Sequence, residues 1–137
     1  MADQFNILCI DGGGIRGVVP AVFLSRIESI LKENTGKSLT EHFHMVAGTS
    51  TGSILAAGIA AGVDIETMLN LYQERGREIF PYKSRWAPQR LSLVLKHGPS
   101  APKYDADNLE RVLKDSLGEK TVASTANEIK MLIPFYD

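Results

Sequence analysis

The chain has 137 residues, 44% of them hydrophobic and 23% charged, and a net charge of −1. This length fits one domain or part of one, with enough apolar content to bury a core. Interspersed acids and bases argue against nucleic acid as a partner, and the single cysteine, Cys9, excludes an internal disulfide and any cysteine-based metal spacing.

Residues 5–10, "FNILCI", read as a buried strand bounded by glycines, with Cys9 as a small interior residue. Residues 1–4 show no secretory leader, so a cytoplasmic location is the expectation. The loop "DGGGIRG" follows, and then "VVPAVFLSRIESILKEN". Pro20 suits a first helical turn, where its missing N–H costs nothing. Val22/Phe23, Ile27 and Ile30/Leu31 recur at helical spacing, and Asn34-Thr35-Gly36 ends the helix.

Residues 44–48, "HMVAG", predict a second strand, and Thr51 to Gly62 a helix of small residues that can lie close to a sheet. The stretch "MVAGTSTGSILAAGIAAGV" approaches membrane-span length, but its glycines and hydroxyls favour strand, turn and buried helix. Asp64 is placed to cap a third helix with Ile65, Met68/Leu69, Tyr72 and Ile79 as its stripe.

Between Phe80 and Tyr104 the periodicity lapses. "PYKSRWAPQRLSLVLKHGPSAPK" holds five Lys/Arg, four prolines, Trp86 and no acid. It reads as a long solvated loop with a short helix at 89–97, or as a basic surface for an anionic lipid interface and peripheral membrane contact. Asp107 and Glu110 are spaced as a capping box for a fourth helix, with Leu109, Val112/Leu113 and Leu117 inward and Gly118 as its stop. The terminal "IKMLIPFYD" predicts a strand. A bare apolar strand at the end leaves an unpaired edge, so the chain is expected to be the front part of a longer protein. The order strand, helix, strand, helix is that of an α/β fold with a parallel sheet.

Gly12-x-Gly14-x-x-Gly17 after a strand fits a dinucleotide fingerprint. That reading needs an acid at the end of the second strand, about 20 positions on, to hold the ribose. Glu28 and Glu33 fall inside the predicted helix instead, and the second strand ends at Gly48. There the chain carries Gly48-Thr49-Ser50-Thr51-Gly52, a G-x-S-x-G run between strand and helix. This is the pattern of a nucleophilic serine on a strained turn, its flanking glycines removing Cβ atoms that would clash. Two strand–glycine–helix units in a parallel sheet bring both loops to the carboxyl edge of the strands. Ser50 is then the candidate nucleophile, and the amides of Gly12, Gly13 and Gly14 the candidate oxyanion hole.

D-G-G-G-x-R-G at 11–17 followed by G-T-S-T-G at 48–52 resembles the patatin-like phospholipase family. The similarity extends through "KYDADNLERVLKDSLGE" and "LIPFYD". The resemblance implies a three-layer α/β/α fold and lipid acyl hydrolase activity on a glycerolipid or phospholipid. It also implies a serine–aspartate dyad and no histidine, metal or other cofactor. It maps Ser50 onto the nucleophile and Gly12, Gly13 and Gly14 onto the oxyanion loop. Asp11, Arg16, Gly17, Gly48, Thr49, Thr51 and Gly52 become supporting motif positions. Arg16 ties down the loop, meets a head group or forms a salt bridge; Asp11 is expected to accept loop N–H bonds.

The family's aspartate belongs to a later D-G-G or D-G-A motif, and Asp11-Gly12-Gly13 is the only match here. Asp105, Asp107, Asp115 and Asp137 do not fit. Residues 1–137 are therefore expected to be the N-terminal part of the domain, ending before the dyad aspartate and nearly inactive alone. His42, His44 and His97 are expected at the surface or the edge of the core. An acyltransferase with the same elbow, a nucleotide-binding module and a non-catalytic scaffold remain open as alternatives.

Overall fold

The computed structural model describes residues 4–80, 106–118, 121 and 129–135. The elements are β1 (Ile7–Ile10), a 3-10 turn (Gly14–Gly17), α1 (Val18–Thr35), α2 (Leu39–His42), β2 (Met45–Gly48), α3 (Thr51–Ala60), α4 (Ile65–Ile79), α5 (Ala106–Leu117) and β3 (Lys130–Leu132). The strands form a parallel sheet in the order β1-β2-β3, with Ile10 level with Gly48 and Ala47 level with Leu132. Because the strands are parallel, the turns leaving β1 and β2 emerge side by side at one edge of the sheet.

Helix α3 packs against all three strands. Its glycines and alanines bring its backbone close, and Leu55 and Ile59 join Ile10, Val46 and Ile129 in the main core. Helix α4 adds Ile65, Met68 and Tyr72 to the same core. Its cap is the expected one, the Asp64 carboxylate accepting the Glu66 N–H at 3.0 Å. A second cluster of Leu71, Ile79 and Val112 joins α4 to α5. Over it, Arg75 Nη1 lies 2.9 Å from Asp115 and Arg75 Nε 3.0 Å from Glu78, which also pairs with Arg111.

Four expectations are corrected. Cys9 is exposed, and Ile7 is 51% exposed. Alternation along β1 sends both to the sheet face opposite Leu8 and Ile10, and α3 covers only the latter face. On α1 the buried residues are Ala21 and Leu24, whereas Val22, Phe23, Ile27 and Ile30 are exposed. The side of α1 chosen for packing is the one facing α4, where the Ser25 hydroxyl donates to Glu66. Helix α5 begins at Ala106, so Asp107 lies inside the helix and not at its cap. Glu110 pairs instead with Lys114 at 2.7 Å, one turn on.

A capping box does form at Ser38 and Glu41, opening α2. Gly36 and Gly118 end α1 and α5 as expected, both left-handed at φ of 70° and 66°. The segment read as basic loop or lipid surface, with its helix at 89–97, lies outside the described residues, as do His97, Asp105 and Asp137. Among the described residues no helix is long and apolar enough to cross a membrane.

Candidate active site

The end of β2 forces the geometry. Ser50 is the only described non-glycine residue with positive φ, at φ 52° and ψ −123°. A side chain with a Cβ disfavours this region, at a cost of about 1–3 kcal/mol. The turn holds it there through the Gly52 N–H donating to the Thr49 carbonyl and the Ser53 N–H to the Ser50 carbonyl, both at 2.9 Å. The Ser53 hydroxyl reaches back to the Gly48 carbonyl at 2.9 Å. The result is a serine that stands exposed at the tip of the turn and opens α3.

Three glycines make the turn possible. A Cβ at Gly48 would lie 2.3 Å from the Gly52 carbonyl oxygen, and one at Gly52 would lie 2.2 Å from that of Ile10. A Cβ at Gly12 would sit 2.2 Å from the Thr49 carbonyl oxygen and 2.7 Å from the Ser50 Cβ. The glycine loop and the serine turn therefore touch backbone to backbone, with Gly12 directly against Ser50.

Hydrogen bonds lock the two turns together. The Gly12 N–H donates to the Thr49 hydroxyl at 3.2 Å and the Gly13 N–H to the Thr51 hydroxyl at 3.1 Å. The Thr49 N–H donates to the Ile10 carbonyl at 3.2 Å, extending the β1–β2 ladder by one rung. Asp11 does not hold the loop as expected; it is exposed, and the threonines take the amides instead. The Gly14 N–H, in a left-handed residue at φ 63°, makes no hydrogen bond among the described residues. Arg16 is exposed and directs Nε toward the Gly13 carbonyl at 3.5 Å.

The chain matches the family model "Patatin-like phospholipase" over residues 8–135. Patatin-like protein 2 of Oryza sativa subsp. indica is 32% identical over 141 residues, covering 96% of this chain and 34% of the relative. Patatin-17 of Solanum cardiophyllum is 34% identical over 136 residues, covering 94% and 33%. Probable inactive patatin-3-Kuras 1 of Solanum tuberosum is 34% identical over 142 residues, covering 94% and 34%.

The chain belongs to the patatin-like phospholipase family. It spans about a third of the length of the curated relatives it matches. The parallel sheet with helices packed on it is the expected α/β architecture of that family.

Of the residues singled out in the sequence, this patatin-like chain brings Gly12, Gly13, Gly48, Thr49, Ser50, Thr51 and Gly52 into one junction. His44 and His42 lie elsewhere. His44 accepts the Asn6 N–H at 2.9 Å and stacks on Phe5, and the His42 ring meets Phe43. The sequence reading missed Tyr72 as part of the site. Its spacing puts it in the α4 stripe, and its hydroxyl donates to the Thr51 carbonyl at 2.9 Å. The available signal was a phenol in an otherwise aliphatic stripe, since a buried Tyr O–H needs a partner.

Proposed function

We propose that this chain carries the nucleophile and oxyanion loop of a serine-dependent lipid acyl hydrolase acting on a glycerolipid or phospholipid. One observation carries the reading: Ser50 is held exposed in a strained left-handed conformation against Gly12. Strain of that kind gathers at functional sites, and the match to patatin-like phospholipases supports the acyl substrate.

In this mechanism an aspartate beyond the present chain takes the Ser50 hydroxyl proton as Oγ attacks the ester carbonyl. The carbonyl π electrons move to oxygen, and the oxyanion meets N–H donors of the glycine loop. Gly14 is the first donor, because its N–H is free of the threonine bonds that occupy Gly12 and Gly13; Gly13 is the second, sharing its N–H with Thr51. Removing one such donor in measured cases costs about 2.7–4 kcal/mol. The acyl C–O bond then breaks, the leaving alcohol takes the proton from the aspartic acid, and an acyl-serine remains. The aspartate next deprotonates a water that releases the fatty acid and restores Ser50. An aspartate serving directly as base requires a dry setting that raises its pKa toward neutrality.

A fluorophosphonate probe should label the full-length protein and spare its Ser50→Ala variant; equal labelling of both ends the assignment. The second reading is a non-catalytic scaffold. It is favoured by the lack of a second Asp-Gly-Gly or Asp-Gly-Ala in the sequence and by the similarity to probable inactive patatin-3-Kuras 1 of Solanum tuberosum. Hydrolysis of a short p-nitrophenyl ester separates the two. The catalytic reading expects a large gain when residues 1–137 are extended through the next such motif, and the scaffold reading expects none.

A further inference from the structure

Two residues of α4, one helical turn apart, press on the glycine loop. A Cβ at Gly17 would fall 2.7 Å from the Tyr72 ring, and a Cβ at Gly76 would fall 2.4 Å from Cδ1 of Ile15. The residues 72 and 76 lie on one face of the helix, and Ile15 and Gly17 are in the 3-10 turn that carries Gly14. At the same time the Tyr72 hydroxyl donates to the carbonyl of Thr51, the residue that follows Ser50. The Thr51 side chain in turn accepts the Gly13 N–H. One side chain thus touches both turns of the candidate site, its ring against the loop and its hydroxyl on the elbow.

Tyr72 is 2% exposed and its ring stacks on Phe80 at 6.4 Å, so it is fixed by packing on more than one side. Burial pushes its phenol well above the ordinary value, which keeps it protonated and a donor. Phenylalanine would fill the same space, so packing alone does not explain the hydroxyl.

We propose that Tyr72 is a positioning residue that sets the spacing between the Ser50 turn and the Gly13–Gly14 loop. The proposal rests on the reading of Ser50 as nucleophile, and it makes α4 the template against which the two turns are registered. Loss of the hydroxyl removes the bond that anchors Thr51 to α4, and the Thr51 side chain then holds the Gly13 amide less firmly. The loop amides become mobile while the core stays packed.

The test compares full-length wild-type protein with Tyr72→Phe by two readouts. In the first, amide exchange of a peptide spanning residues 11–17 should quicken several-fold, with the α1 peptide around Leu24 unchanged. In the second, the maximal rate of fluorophosphonate labelling should fall about three- to tenfold, the scale of one neutral hydrogen bond, with the probe concentration for half-maximal rate unchanged. A merely structural tyrosine would lower the melting temperature and leave both readouts alone, and that result overturns the proposal. If wild-type Ser50 takes no label, the hydrolase reading falls and the exchange comparison still decides the role of Tyr72. If Tyr72→Phe does not fold, Gly17→Ala, which displaces the ring and keeps the hydroxyl, should give the same quickened exchange; unaltered exchange there also overturns it.

Discussion

Gly12 lies so close to Ser50 that no side chain fits between them: a Cβ on the one would stand 2.7 Å from the Cβ of the other. The neighbouring Thr49 carbonyl oxygen would be closer still, at 2.2 Å, and it is backbone that cannot swing aside. Gly12→Ala should therefore lose roughly 3 kcal/mol or more of stability and lose Ser50 labelling. Urea unfolding and probe labelling measure the two effects; a stable, reactive Gly12→Ala protein would contradict the contact.

Ser50 is strained in the folded chain, and glycine would not be. Ser50→Gly is expected to keep the fold and gain stability, by about 1 kcal/mol. Ser50→Ala keeps a Cβ, so it should gain nothing comparable. The pair separates backbone strain from loss of the hydroxyl, because both abolish labelling and only one raises the melting temperature.

Thr51 accepts the Gly13 amide, and Thr51→Val keeps the shape while removing the acceptor. A loss of about 1–2 kcal/mol is expected, with faster amide exchange in the glycine loop. Thr51→Ser retains the hydroxyl and should behave as wild type in the exchange measurement. If valine and serine are indistinguishable, the bond carries no weight.

Acid should weaken the α4–α5 contact. The hydrogen bond from Arg75, together with Arg111, holds the Glu78 carboxyl below its ordinary value of 4.5. A group with a depressed folded pKa stabilises the fold above its unfolded pKa and loses that contribution as pH falls through the folded one. Amide exchange in α5 should then rise, after correction for intrinsic rates, as pH drops below that ordinary value. Glu78→Gln should flatten the change; an identical profile in the variant would remove Glu78 as its cause. Exposed pairs are screened, so added salt should shrink the effect.

Strand positions, the four longer helices and the location of both turns were legible because each rests on local pattern. The Asp64 cap needs only residues 64 to 66, and the glycine–serine–glycine turn only residues 48 to 52. Burial was less legible. Phe23 and Ile27 have helical spacing and apolar side chains, yet α1 turns Ala21 and Leu24 inward because Ser25 and its neighbours meet α4. Periodicity identifies a stripe and cannot say which partner claims it. Cys9 differs from expectation for the same reason: an unbroken apolar strand suggests cover on both faces, and among the described residues only the α3 face is covered. The duties of Thr49, Thr51 and Tyr72 depend on contacts 21 to 38 residues apart, which no local window contains.

The bonds from Gly12 to Thr49 and from Gly13 to Thr51 span 37 and 38 residues. The serine turn carries bonds of its own, but the glycine loop finds acceptors for its Gly12 and Gly13 amides only on the neighbouring strand's turn. The constellation is therefore complete only when β1 and β2 are paired across the α1 and α2 that separate them in sequence, a closure that costs chain entropy. It should also vanish as a unit. In native-state exchange the two turns would share one opening free energy, and a substitution that loosens the β1–β2 ladder would disarm the serine without coming near it.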